Sequence, residues 1–301
     1  MRNAFVEELV SIARENSKIA LVVGDLGYSV VEPFAGSFPD RFINAGVAEQ
    51  NMTGLAAGMA SEGYHVFTYS IANFSTFRCA EQIRNDVDYH NLPVTVVSVG
   101  GGLAYGSLGY SHHAVQDYAL MRTMPNVLIA APGDALEVRA CLRYLTLHEC
   151  PSYLRLGKAG EPRFHTELPE VYPGRWLTIR KGRGRPRALL STGTALHVAM
   201  KWGQEPQFRE FDVCSLPLWS MSHKHTQREY FSLYDEIVTV EDHLQDGGFG
   251  SWLLEARSLQ STGSTIRTIA LSENVCGTVG SETALHLAGG ILPSIITNSD
   301  L

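Results

Sequence analysis

Short β-branched runs alternate with helical patterns along the first half of the chain. Residues 19–25, 41–44, 65–70, 94–99, 127–130 and 153–156 read as strands. Between them, residues 73–89, 114–122 and 134–148 carry apolar positions at helical spacing, the last opening after Pro132-Gly133-Asp134, a strong helix-start signal. Alternation of this kind predicts a parallel sheet covered by helices on both faces.

The pattern dissolves near residue 158 into Gly/Pro/Arg-rich sequence and resumes near Ala188. The expected organisation is an α/β domain over residues 1–160, a linker over 161–186 and a smaller doubly wound domain over 187–301. Strands are expected at 210–216, 236–241 and 266–271, with a helix opening at Gly247-Gly248-Phe249-Gly250. Those glycines could hold an anion at the helix N-terminus or permit close helix–strand packing. A second glycine cluster, Gly100-Gly101-Gly102, follows a strand but lacks dinucleotide-loop spacing, and no GxxxxGK[ST] occurs.

Composition narrows the function classes. The 301 residues are 45% hydrophobic and 18% charged, with a formal charge of -7, which argues against a nucleic-acid surface. The one basic run, residues 180–187, falls in the expected linker and reads as a solvated segment. No apolar stretch has the length of a membrane span and the N-terminus carries acids, so the chain is expected to be cytoplasmic. Cys79, Cys141, Cys150, Cys214 and Cys276 show no metal-ligand spacing and read as reduced, structural thiols.

The sharpest chemical signal is Glu49. The run Asn44-Ala45-Gly46-Val47-Ala48-Glu49-Gln50 hands a short strand over to a helix of small residues, placing one carboxylate at the positive end of the helix dipole. Taken alone, such a glutamate is a helix cap as readily as a catalyst. Its company changes the reading: Phe74-Ser75-Thr76-Phe77 follows the next strand, and Gly109-Tyr110-Ser111-His112-His113 lies beyond the one after.

Together with Tyr153-Leu154-Arg155-Leu156-Gly157 and Val240-Glu241-Asp242-His243, these fragments make the chain resemble the C-terminal half of transketolase over its full length, as found in the free-standing second subunit of split transketolases. The resemblance implies a pyrimidine-binding domain followed by a transketolase C-terminal domain, with thiamine diphosphate and Mg²⁺ as cofactors. Glu49 would hydrogen-bond the aminopyrimidine ring and activate the cofactor, a task that burial in an apolar pocket favours. Phe74 and Phe77 would wall the pyrimidine, although Phe77 sits equally well as the inward-facing i+3 partner of an amphipathic helix. His112 would meet substrate oxygens and carry a proton, with His113 turned elsewhere. Arg2, Ser29 and Arg155 fall where the family holds a sugar phosphate.

Departures from the family pattern bear on substrate. Leu108 stands where the family has a donor-site aspartate, Gly100 where it has a phosphate-binding histidine, and Ala80 where a tyrosine follows the aromatic pair. A deoxygenated, branched or 2-oxo-acid-derived donor is therefore expected. No Gly-Asp-Gly motif for the diphosphate and Mg²⁺ occurs. The resemblance then implies an N-terminal partner subunit carrying that motif, in an α₂β₂ assembly that transfers a two-carbon ketol or acyl unit between small sugars or aldehydes. The competing expectations are the β subunit of a 2-oxo-acid dehydrogenase and a non-catalytic scaffold subunit.

Overall fold

The computed structural model describes residues 1–259 and 263–293. Six strands of the first unit run parallel: β1 (Ile19–Val23), β2 (Phe42–Asn44), β3 (His65–Ile71), β4 (Val94–Val99), β5 (Leu128–Ala130) and β6 (Ser152–Leu156). β1, β4, β5 and β6 are buried along their whole length, as expected of strands covered on both faces. One face carries helices Arg2–Glu15 and Ala135–Leu147, whose Phe5, Leu9, Leu142 and Leu145 pack with Leu21, Phe67 and Leu154. The other carries helix Glu49–Ser61, where Met52, Ala56 and Ala60 settle on Ala20, Val22 and Val66. Small side chains there let the helix approach the sheet closely.

The second unit is built from β7 (Leu177–Arg180), β8 (Arg187–Ser191), β9 (Asp212–Ser215), β11 (Glu236–Leu244) and β12 (Thr265–Leu271), in the order β12-β11-β8-β9-β7. Between β9 and β11 the two-residue strand β10 (Leu218–Trp219) leaves this sheet and pairs antiparallel with β5, so the first sheet is ordered β10-β5-β6-β4-β3-β1-β2. The units thus share a seam of large side chains, with Trp219, Trp252, Phe249 and Tyr118 all fully buried. The fold is the expected pair of α/β layers.

The expected linker needs correction. Residues 177–180 within it form β7, which pairs antiparallel with β9 at the edge of the second sheet. The basic run is likewise tied down at its two ends, while Arg183 and Arg185 between them are exposed. The Arg180 guanidinium donates to the Gly203, Phe208 and Phe211 carbonyls, Lys181 pairs with Asp212 at 2.6 Å, and Arg187 pairs with Glu210 at 3.1 Å. The other glycine question resolves inside the chain. Buried Glu241 accepts hydrogen bonds from the Phe249 and Gly250 amides at 2.6 and 2.8 Å, so its carboxyl group occupies the N-terminus of helix Phe249–Ser258. Those glycines provide room: a side chain at Gly250 would collide with Thr268, Thr239 and Glu241. All five cysteines are unpaired, and burial pushes Cys79 and Cys150 up to about 11 and Cys214 to about 12. Among the described residues no helix is long and apolar enough to cross a membrane.

Candidate functional site

In an open parallel sheet, loops leaving the carboxyl ends of the strands converge on one edge, and ligands bind there. Here those loops carry Asp25, Glu49, Phe74, Arg78 and His112. Glu49 is the first residue of its helix, and no side-chain cap is made at that end. The strand-to-helix corner before it is fixed by Asn44, whose Oδ1 accepts from the Asp25 and Gly46 amides and whose Nδ2 donates to Asp25 Oδ1 at 2.9 Å. Gly46 turns the chain at φ +74°, a conformation that favours glycine. Gly24 leaves room for the acid, since a Cβ there would lie 3.3 Å from Glu49 Cγ.

Glu49 is 1% exposed, and a lone ionised carboxylate so deeply placed needs a partner. Arg78 supplies it, donating from Nη1 to Glu49 Oε2 at 2.7 Å, while Oε1 has no hydrogen-bond partner among the described residues. The Arg78 guanidinium also lies 4.4 Å from the Phe74 ring centroid, and the Phe74 ring meets the edge of His112 at 5.2 Å. Glu49, Arg78, Phe74 and His112 therefore form one continuous array. Sequence reasoning missed Arg78; its signal was a single basic residue directly after the aromatic pair.

His112 is half-buried and its pKa is lowered, first by burial and then by neighbouring His113, so its imidazole is neutral at pH 7. Nδ1 lies 3.0 Å from Ser111 Oγ. His113, expected only to point elsewhere than His112, is buried, with Nε2 3.2 Å from the Gly106 carbonyl oxygen. Asn73 steadies this loop by donating from Nδ2 to the Ser111 and His113 carbonyls. Phe77 stands apart from the array. It is 48% exposed and packs in no core, lining instead an open groove of about 620 Å³ with Asn73, Tyr110, Ser111 and Leu120.

Two of the three expected phosphate contacts lie at the site's edge. Arg2 sits beside the Tyr69 hydroxyl, with Nε buried and unpartnered, and Ser29 is exposed at φ +64° on a loop whose Gly27 packs against the same tyrosine ring. Arg155 is a correction. Its side chain is 1% exposed; Nε donates to Asp117 at 2.7 Å, Nη1 to Asp242 at 2.6 Å and Nη2 to the Ala114 carbonyl at 2.8 Å. Every nitrogen is engaged, so the guanidinium bolts the two units together and offers nothing to a substrate. Near it, Tyr105 fills the space that a side chain at Gly100 would need, and the exposed Lys158 ammonium lies 5.5 Å from the Tyr105 ring centroid. Leu108 is exposed beside the histidine loop and accepts no hydrogen bond.

A buried, half-satisfied carboxylate whose arginine partner lies on an aromatic ring fits a flat, protonatable heterocycle. No group of three or more His, Cys, Asp or Glu side chains is arranged to hold a metal ion among the described residues. This edge, on a parallel sheet docked to a second smaller one, places the array where open α/β folds bind ligands.

The family model for the transketolase pyrimidine-binding domain matches residues 1–160. A relative from Actinobacillus succinogenes, named as a subunit of apulose-4-phosphate transketolase, is 28% identical over 294 residues, covering 97% of this chain and 94% of its own. A 1-deoxy-D-xylulose-5-phosphate synthase from Clostridium perfringens is 30% identical over 261 residues, which span 84% of this chain and 41% of that protein. Among solved structures, one described as a split gene transketolase, inactive beta4 tetramer, superposes with a TM-score of 0.83 at 30% identity, covering 97% of this chain and 93% of that one. The chain belongs to the transketolase family, as the half that carries the pyrimidine-binding and C-terminal domains.

Proposed function

We propose that this chain is the cofactor-activating subunit of a two-chain, transketolase-type enzyme that moves a two-carbon ketol or acyl unit between small sugars or aldehydes. The observation that carries the reading is Glu49: a buried carboxylate with one oxygen held by Arg78 and the other open, beside Phe74 and His112. Thiamine diphosphate, when bound, supplies a stabilised carbanion equivalent for making and breaking carbon–carbon bonds. Glu49 Oε1 would hold a proton on the pyrimidine ring, and Arg78 would fix the acid's orientation and balance its charge. Phe74 would offer an aromatic wall and exclude water. Neutral His112 would accept a proton from a substrate hydroxyl and return it.

Arg2, Ser29 and Lys158 would meet the anionic end of the substrate, Lys158 taking the place that sequestered Arg155 vacates. Leu108 favours a donor with no hydroxyl at that position, so an acyl donor derived from a 2-oxo acid is the second reading. The diphosphate and Mg²⁺ would come to the site on an N-terminal companion subunit bearing a Gly-Asp-Gly motif, in an α₂β₂ assembly. The exposed Tyr28, Val47, Phe77 and Tyr110 around the strand ends support such a companion, because apolar side chains grouped at a polar site mark a docking face.

The test is Glu49→Gln in the complex reconstituted with the companion chain, assayed by aldehyde release from ketose phosphates and by decarboxylation of 2-oxo acids. Turnover should fall about 10²–10⁴-fold with assembly unchanged. Undiminished turnover would reject the activating role and leave a scaffold.

A further inference from the structure

The loop that carries His112 leaves β4 of the first unit but is mounted on the second. Its neck is closed by a two-way bridge, with the Gly102 amide on the Ala114 carbonyl at 3.0 Å and the Ala114 amide on the Gly102 carbonyl at 2.8 Å. The residues flanking this neck, Leu103 and Val115, are fully buried in the apolar core of the second unit with Leu189, Leu196, Val240 and Leu285. The Val115 carbonyl accepts the Leu244 amide at 3.0 Å, anchoring the neck to β11. Beside it, any side chain at Gly102 would strike Asp242.

The crown of the loop is held from the same side. The Gly280 amide donates to the Gly106 carbonyl at 3.3 Å, and a methyl added to Gly106 would collide with Leu285 Cδ1 and lie 2.9 Å from the Gly280 oxygen. From Gly106 the chain steps through two tight turns, the Gly109 amide on the Gly106 carbonyl at 3.2 Å and the His112 amide on the Gly109 carbonyl at 2.9 Å. Val279 rests beside Gly109, 3.5 Å from where its Cβ would be. Against this, the first unit contributes the Asn73 side chain and the Phe74 ring, while Ser107, Leu108, Tyr110 and Ser111 are exposed. The His112 side chain makes one hydrogen bond, to its neighbour Ser111, and an edge contact with the Phe74 ring, so its placement depends chiefly on the backbone beneath it.

We propose that residues 279–285 of the C-terminal unit are a positioning element for His112, with Leu285 and Gly280 setting where the imidazole stands although neither touches substrate. The functional consequence rests on the reading of His112 as the proton carrier; the mechanical claim does not. A shift of about 1 Å in a catalytic group costs up to about 10²-fold in rate, so a remote clasp of this kind acts on kcat rather than on substrate binding.

The test compares Leu285→Ala with Val213→Ala, a truncation in the same core on β9, and with the conservative Leu285→Met. In the full chain, amide hydrogen exchange at Gly109 and His112 should quicken about tenfold in Leu285→Ala, and the NMR titration of the His112 imidazole should move. Val213→Ala should leave both unchanged, and Leu285→Met should restore both. In the reconstituted complex, kcat should fall about tenfold with KM altered less than about twofold. Exchange at the loop that ignores Leu285→Ala, or responds equally to Val213→Ala, overturns the clasp. Exchange and titration that respond while turnover does not would uphold the clasp and reject His112 as the proton carrier.

Discussion

Two arginine–carboxylate assemblies stand near the strand ends of this protein, and they are built for opposite ends. Arg155 lies between Asp117 and Asp242 with all three side chains at most 1% exposed and every guanidinium nitrogen spoken for. Arg78 reaches Glu49 from a side chain 43% exposed and binds one carboxylate oxygen, leaving the other open. Burial of charge is tolerated in the first because two acids surround one base and the Ala114 carbonyl completes the shell. In the second, a deeply placed acid meets a single, partly exposed base through one of its two oxygens. Residue type therefore does not separate the girder at Arg155 from the assembly at Glu49; unsatisfied hydrogen-bonding capacity does.

The largest way to break this comparison is to cut the girder. Arg155→Met leaves two buried acids unpaired and should cost about 3–5 kcal/mol by urea denaturation, whereas Glu49→Gln should change stability by less than about 1 kcal/mol. Equal losses would mean that both assemblies are structural. A smaller effect belongs to Glu241, next to the girder. Burial pushes its pKa up to about 8, and the Gly250 and Phe249 amides offset this only in part. The folded state then holds a proton that the unfolded chain releases near pH 4.5. Stability should fall as pH climbs from about 5 to about 8, by up to about 3.5 kcal/mol, and Glu241→Gln should flatten that slope. The smallest effect sharpens the substrate end of the open site. Lys158→Ala should raise KM for a phosphorylated substrate about five- to tenfold with kcat retained, while a neutral substrate is unaffected.

Much of the open site was legible because its signals are local. The strand-to-helix handover at 44–50 places Glu49 without any long-range knowledge, and the burial of β1 follows from its unbroken apolar run. Arg78 was not legible, because its partner lies 29 residues earlier and their meeting depends on how two helices cross the sheet edge. Arg155 misled for a related reason: its position in the strand matches a phosphate contact, yet its fate is decided by Asp242, 87 residues away in the other unit. β7 escaped notice because an edge strand with only partly buried residues carries no apolar run. The anchoring of the His112 loop in the second unit has no sequence signature beyond the glycines that permit it.

On the reading proposed above the chain is a half-site, with its activating acid at Glu49 and the diphosphate pocket on a companion chain. Calorimetric titration of thiamine diphosphate and Mg²⁺ into the chain alone, and into the chain with its companion, tests that claim most directly. No measurable heat is expected from the isolated chain, and saturable binding once the companion is present, lost when Glu49→Gln replaces the acid. Tight binding by the isolated chain, or binding to the complex indifferent to Glu49, would contradict it.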